Sequence, residues 1–98
     1  MKTFDDLEFK PWGNGKKLGT LAKYYHDAEQ ALLPLDNGYT VSVLFGHMFY
    51  SNGIDTYEVA VINKDGKTLI GMPKGDANVE GYCSKERVNE LIKWAEAL

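Results

Sequence analysis

Between residues 39 and 95 of this chain of 98 residues, the spacing of apolar side chains changes from every second residue to every third or fourth. Residues 39–45 and 56–62 place apolar side chains mainly at alternate positions, which is typical of strands with one buried face. Four later apolar residues stand at the helical spacing i, i+3, i+4 and i+7: Val88, Leu91, Ile92 and Ala95. This order predicts an α+β fold, in which a C-terminal helix packs on one face of an antiparallel sheet.

Turn-forming residues indicate a further strand before residue 39. Residues 36–38, Asp-Asn-Gly, favour a turn because Asn and Gly tolerate positive φ. We therefore predict a strand over residues 31–35 that pairs with residues 39–45. Pro34 confines this strand to an edge of the sheet, because proline has no N–H to donate to a second neighbouring strand.

A second turn sets the other end of the predicted sheet. Residues 64–67, Lys-Asp-Gly-Lys, are typical of a tight hairpin turn, so residues 68–72 are predicted to form the next strand. The sheet is then a meander of three to four strands. Residues 73–83 are rich in turn-forming residues, and we predict a loop there that leads into the helix.

The predicted helix has a recognisable start. Ser84 is a favourable N-cap residue, because its hydroxyl can accept a hydrogen bond from the first turn. A complete capping box needs Glu or Gln three residues later, and this chain has Arg87 there. The helix is therefore expected to begin directly after Ser84, without the reciprocal bond of the box.

Residues 17–30 allow two interpretations. Their apolar residues fall roughly on one side of a helix, but a strand over residues 21–25 also fits the pattern. Gly19 weakens the helical interpretation because glycine has a low helix propensity. Both interpretations stay open from the sequence.

Composition excludes several classes of protein. The chain carries a net charge of −3 with no stripe of Lys and Arg, so we expect no nucleic-acid partner. Its longest apolar runs are about four residues, so we expect no membrane span. The first residues carry one lysine followed by Asp5, Asp6 and Glu8 and no apolar segment, so we expect no signal peptide. Cys83 is the only cysteine, which favours a reducing cytoplasm. The length suits a single domain over residues 1–98.

Several short segments follow one another in a recognisable order: FDDLEFK at 4–10, NGYTVSV at 37–43, YSN at 50–52, TYEVAV at 56–61 and GY at 81–82. This order resembles a group of small uncharacterised proteins encoded by tailed bacteriophages and prophages. The resemblance covers about two-thirds of the chain, and residues 11–35 fall outside it. It implies that the protein works in the cytoplasm of a bacterial host, and it assigns no activity and no site residue.

Residues 46–54 are the candidate binding segment, because they combine turn-forming residues with large apolar side chains. Exposed aromatic and Met side chains on a loop are typical of protein-binding surfaces. The predicted partner-binding residues are His47, Met48, Phe49, Tyr50 and Ile54. In the alternative interpretation the strand continues past a bulge at Gly46 and these side chains belong to the core.

Other reactive side chains lack the neighbours that chemistry requires. His26, Asp27 and His47 could act as bases, but no nucleophile or orienting group is indicated by their spacing. No paired Cys or His spacing typical of a metal site occurs. Cys83 precedes the helix, where the helix dipole could activate it, but a buried, inert thiol is the favoured interpretation. We therefore expect no catalytic residue, metal or cofactor.

These observations favour a non-enzymatic protein-binding module that engages a host or phage protein. Two alternatives remain. A short meander leaves an edge strand that could pair with a second copy, giving a homo-oligomeric structural or assembly module. The aromatic residues could instead line a pocket for a small ligand.

Overall fold

Five antiparallel strands form one sheet, and each strand pairs with the next along the chain. The computed structural model describes residues 2–13, 23–74 and 78–98. Its elements are a 3-10 helix at Phe4–Asp6, β1 at Lys10–Pro11, β2 at Glu29–Pro34, β3 at Thr40–Phe45, β4 at Tyr57–Ile62, β5 at Glu80–Cys83 and α1 at Lys85–Glu96. The predicted antiparallel α+β architecture is confirmed, with five strands rather than three to four. No helix in the described part of the chain has the length and hydropathy needed to cross a membrane.

Alternate residues of β2, β3 and β4 build the core beneath α1. Cross-strand partners such as Ala31 and Val43, or Val43 and Val59, share one face and are fully buried. The helix contributes the predicted stripe, Val88, Leu91, Ile92 and Ala95, whose side chains are at most 1% exposed. Each large side chain buried here stabilises the fold by about 1.5–3 kcal/mol, so this stripe fixes α1 on the sheet.

The start of α1 explains why the capping box is incomplete. Ser84 Oγ accepts a hydrogen bond of 3.1 Å from the backbone N–H of Arg87, as predicted. The Arg87 side chain turns to β5 instead, where its guanidinium donates two hydrogen bonds to the buried carboxylate of Glu80. Hydrogen bonding from Arg87 lowers the pKa of Glu80. An arginine at this position therefore joins the helix to the edge strand.

Both ends of α1 are also tied to distant parts of the chain. Near its start, Asn89 Oδ1 accepts a hydrogen bond of 2.6 Å from the backbone N–H of Phe4. At its end, Asn37 in the β2–β3 turn donates to the carbonyl of Ala95 at 2.8 Å, a carbonyl of the last turn that also accepts from the backbone N–H of Leu98. The backbone N–H of Lys2 donates to the Glu96 carboxylate at 3.1 Å, so residues from the two ends of the chain meet.

The predicted strand over residues 68–72 is wrong. Residues 68–72 make a single bridge to β4, between Leu69 and Ile62, and the position beside β4 is occupied by β5. β5 lies inside the predicted loop over residues 73–83, so that prediction is also wrong for its last four residues. The alternating pattern is hidden in β5 because a charged residue, Glu80, occupies a core-facing position and is neutralised by α1.

The start of the sheet agrees with the expected role of Pro34. β2 begins at Glu29, two residues before the predicted strand, and β1 covers only residues 29–30. Pro34 therefore lies on the uncovered edge of β2, as predicted. The sequence leaves open whether residues 17–30 form a helix or contain a strand. Residues 17–22 of this segment lie outside the described residues. The described remainder of that segment contains the start of β2 and no α-helix.

Candidate binding surface

The β3–β4 loop, residues 46–56, leaves the sheet through a close contact that only glycine allows. Gly46 has a φ of +139°, and a Cβ atom there would lie 3.0 Å from the Cα of Ala28. The loop therefore starts pressed against the segment that leads into β2. In the alternative interpretation of the sequence, β3 continues as a strand past Gly46. The structure shows no such continuation, because β3 ends at Phe45.

Asp27 anchors this loop. Its carboxylate accepts a hydrogen bond of 3.0 Å from the backbone N–H of His47, and its other oxygen lies 2.9 Å from Nδ1 of the same residue. The hydrogen bond from the His47 backbone is the main reason why the pKa of Asp27 is lowered. The ring of His26 lies 5.5 Å from the ring of His47. Twenty residues separate Asp27 from His47, so the sequence alone does not predict this pair.

Both carboxylate oxygens of Asp27 contact His47 of the loop, and Gly53 lies close to the same carboxylate. A histidine held by an aspartate resembles two members of a catalytic triad, in which the third member is a nucleophile beside the other ring nitrogen. Within the described residues, no three His, Cys, Asp or Glu side chains are placed to hold a metal ion.

Phe49 holds the loop from a second side. Its ring lies 5.3 Å from the ring of Trp12 and 6.1 Å from that of Tyr25, and those two rings are 4.8 Å apart. Phe49 is half-buried in this cluster. Its contacts are those of the alternative interpretation, in which an aromatic residue of this loop packs inside the protein.

Polar side chains within the loop fix its conformation. Asn52 Oδ1 accepts hydrogen bonds from the backbone N–H groups of residues 54, 55 and 56 at 2.8, 2.9 and 3.1 Å. The buried hydroxyl of Ser51 donates to the carbonyl of Thr56 at 2.7 Å and accepts from the backbone of Gly46. These bonds close the two ends of the loop on each other, so its side chains are held in defined directions.

Tyr50 lies against a β-bulge in β5. Two residues of β5, Gly81 and Tyr82, stand opposite the single residue Glu58 of β4. The Tyr50 backbone donates a hydrogen bond of 3.0 Å to the Glu58 carboxylate and accepts one of 2.8 Å from the backbone N–H of Tyr82. A Cβ atom on Gly81 would lie 2.5 Å from the Cβ of Tyr50. Gly81 is therefore required for this close approach.

Tyr82 has an unusual backbone. Its φ is +52°, and no other non-glycine residue in the described ranges has a positive φ. A bulky residue in the left-handed region is strained by about 1–2 kcal/mol. Tyr82 and Tyr50 are about 60% exposed, and their rings lie 6.4 Å apart. We call Tyr50 and Tyr82 the tyrosine pair.

The five predicted partner-binding residues thus do not share one surrounding. His47 pairs with Asp27, Phe49 lies in the aromatic cluster, and Tyr50 belongs to the tyrosine pair. Met48 is 45% exposed, and Ile54, at 80%, borders a shallow depression formed with aromatic residues of the core. Tyr82 was not among the predicted residues, because it falls in the predicted loop 73–83, where no periodic pattern marks it.

Cys83 is not activated by the start of α1. Its side chain is 2% exposed, and burial raises the pKa of the thiol to about 12. The carboxylate of Glu80 beside it acts in the same direction. The predicted burial of Cys83 is therefore confirmed.

The face of the sheet opposite α1 is a second candidate surface, which we call the open face. The 3-10 helix at Phe4–Asp6 and α1 lie on the other face, where they contact each other. The open face consists of the alternate residues of the three long strands: Gln30, Leu32, Pro34, Thr40, Ser42, Leu44, Glu58, Ala60 and Ile62. Leu32 at its margin is 53% exposed, while the small Ser42 and Ala60 at its centre are buried between larger neighbours.

Comparisons with known proteins assign no function to either surface. No protein-family model, curated protein or solved structure matches the chain. The similarity to small phage proteins therefore stays a prediction, and a function has to be inferred from the residues themselves.

Proposed function

We propose that this protein is a non-enzymatic protein-binding module and that the tyrosine pair is the centre of its contact with the partner. The observation that supports this most directly is the strained backbone of an exposed tyrosine. Glycine would remove the strain at position 82, yet the chain places a large aromatic side chain there. Strain at an exposed side chain supports a functional role, because packing inside the protein does not require it.

Tyrosine is well suited to such a contact. It offers a large apolar ring with a polar tip and loses little conformational entropy on binding, because it has only two side-chain torsions. Tyrosines are accordingly enriched among the residues that dominate binding energy. In this protein the backbones of Tyr50 and Tyr82 are joined by a hydrogen bond, so the partner would meet a surface that is already ordered.

The partner proposed for this surface is a host or phage protein. The resemblance described above supports this setting, since it implies work in the cytoplasm of a bacterial host. The charge pattern agrees with a protein partner, because the chain has no basic stripe for a nucleic acid. Met48, in the same loop as Tyr50, is also exposed, at 45%.

The experiment is affinity capture with a tagged chain expressed in a bacterial host, with three variants beside the wild type. Tyr50→Ala and Tyr82→Gly each remove one ring of the pair, and both are expected to reduce capture of the partner about tenfold or more. Tyr24→Ala removes a tyrosine that is also exposed, at 45%, but lies outside the pair. It is expected to retain the partner.

Thermal unfolding of the same variants separates lost binding from lost folding. Tyr82→Gly is expected to be at least as stable as the wild type, because glycine accepts the backbone conformation without strain. A stable Tyr82→Gly chain that no longer captures the partner would support the proposal. Full capture by a chain that carries both Tyr50→Ala and Tyr82→Gly would contradict it.

A further inference from the structure

The residues of the open face form transverse rows, because paired residues of neighbouring strands point to the same side. One row runs from β1 to β4 and consists of Lys10, Gln30, Leu44 and Glu58. The next row consists of Leu32, Ser42 and Ala60. Charge and size are therefore unequal across the face: the β1–β2 side has a cation and a protruding leucine, and the β3–β4 side has an anion and small residues.

This asymmetry is what a two-fold symmetric contact requires. Consider an axis that lies between two facing copies, parallel to the strands and midway between β2 and β3. This axis places β1 of one copy over β4 of the other, and β2 over β3. Each transverse row of one copy then faces the same row of the other copy. Lys10 then lies over Glu58 of the second copy, and the exposed Leu32 lies over the small Ser42. Each match occurs twice, as in every isologous interface.

We infer that the open face binds a second copy of this chain, face to face, to form a symmetric dimer. Aligned sheets pack about 10 Å apart and cross at about 30°, so the match is closest in the two central strands, at Leu32 and Ser42. This contact leaves β5 outside the overlap. The tyrosine pair therefore stays accessible, and the dimer would present two copies of it.

The same structure disfavours self-association through the edge of β2. The hydrogen bond from Leu35 to Tyr39 places odd-numbered residues of β2 in bonds with β3, so the backbones of Leu32 and Pro34 point outwards. Proline has no N–H to donate at the second of these positions. A strand added to the edge of β2 would therefore lack one backbone hydrogen bond at Pro34. A face-to-face contact needs no backbone hydrogen bonds, so Pro34 does not hinder it.

The size of the face predicts a weak dimer. A six-residue strand is about 20 Å long and strands are spaced by about 4.8 Å, so the overlap of four strands gives on the order of 400 Å² per copy. The total for both copies, about 800 Å², is smaller than a standard specific interface and suits a weak, transient contact only. We expect a dissociation constant on the order of 10–100 µM, so the dimer forms at high protein concentration only.

Sedimentation velocity over about 5–500 µM tests the association. The wild type is expected to shift from monomer to dimer, and Leu32→Asp to raise the dissociation constant about tenfold or more, because it buries a charge in the interface. Ile54→Asp places the same charge on a side chain that is 80% exposed and lies off the face. It is expected to dimerise like the wild type.

Cross-linking tests the geometry. A carbodiimide joins a lysine to a carboxylate only where the two groups touch. Within one chain Lys10 and Glu58 are separated by three strand spacings, roughly 14 Å, with Gln30 and Leu44 between them. A Lys10–Glu58 cross-link between ¹⁴N-labelled and ¹⁵N-labelled chains, lost in Leu32→Asp, would therefore support the symmetric dimer.

Three results would overturn the inference: a monomer at every concentration, a dimer that Leu32→Asp does not weaken, or a dimer without the Lys10–Glu58 cross-link. The inference would also be overturned if the wild type stayed monomeric but bound a different protein, and Leu32→Asp abolished that binding. The occupant of the face would then not be a second copy. The tyrosine pair is tested separately, by Tyr50→Ala and Tyr82→Gly, although Glu58 of the dimer face also accepts a hydrogen bond from the Tyr50 backbone.

Discussion

The helix α1 and the β3–β4 loop both pack against the sheet, but different kinds of interaction hold them. The helix buries a continuous apolar stripe, in which each side chain contributes through the area that it removes from water. The loop is held by single groups: the carboxylates of Asp27 and Glu58, the Asn52 side chain and the bare backbone of Gly81. Regular packing thus builds the scaffold, while individual contacts shape the candidate binding surface.

The largest expected effect is the loss of an apolar contact beneath α1. Leu91→Ala removes a side chain that is 1% exposed and is expected to lower the free energy of unfolding by about 3 kcal/mol, through lost burial and a cavity. Urea unfolding measures this change. Leu98→Ala, at a position that is 45% exposed, is the control and should cost well under about 1 kcal/mol.

A Cβ atom at the bulge should have the largest effect on the loop. Gly81→Ala brings its methyl group against Tyr50, and we expect a loss of about 1–3 kcal/mol because Tyr50 must move. Gly71→Ala adds the same atom where no other atom lies within 4 Å. If urea unfolding gave equal losses for both variants, Tyr50 would not be seated on the bulge.

Asp27 should make the loop sensitive to acid. Its pKa is lowered in the folded state, so its contribution to stability is full above the ordinary value of about 3.8 and is lost as the pH falls through the folded value. The carboxylate is partly solvated, so we expect Asp27→Asn to cost about 1 kcal/mol at neutral pH.

The comparison of interest is between wild type and Asp27→Asn in urea from about pH 6 to about pH 2. Glu80 has a lowered pKa in both chains, so both should lose stability in acid. The difference between them isolates Asp27 and should shrink as the pH falls. If the difference in the free energy of unfolding between the two chains stayed constant with pH, the stability lost in Asp27→Asn would come from the changed shape of the side chain and not from its lost charge.

The smallest expected effect lies at position 82. Tyr82→Ala keeps the left-handed strain, whereas Tyr82→Gly relieves it at the cost of a more flexible unfolded chain. We expect the glycine variant to be the more stable of the two by about 0.5–1 kcal/mol in thermal unfolding. The reverse order would mean that the backbone at Tyr82 is not strained, and would remove the main support for the proposed contact.

The sequence predicts the parts of the fold that are held by regular apolar packing, and it does not predict the parts that are held by individual contacts. The alternation in β3 and β4 and the stripe of α1 are visible because apolar burial repeats with the period of the element. β5 is not visible, because Glu80 faces the core and is satisfied by Arg87, which a pattern of apolar residues cannot indicate.

The candidate surface is predicted only in part, for a related reason. The loop was identified by its composition, but the direction of each side chain depends on contacts between residues that are distant in the sequence. Asp27 with His47, and Tyr50 with Gly81, are such contacts. Neither has a local signature, so the sequence leaves open whether Phe49 is packed and does not indicate that Tyr82 is exposed.

The contact between Lys2 and Glu96 has a practical consequence. Because these two ends are neighbours, a short linker could join them, and the chain could be opened elsewhere as a circular permutant. An opening in the exposed turn at residues 64–67 would leave both candidate surfaces intact, and one at residues 52–55 would release the loop that carries Tyr50. The pair of permutants would show whether the sheet folds without its binding loop, in a molecule that has lost no side chain.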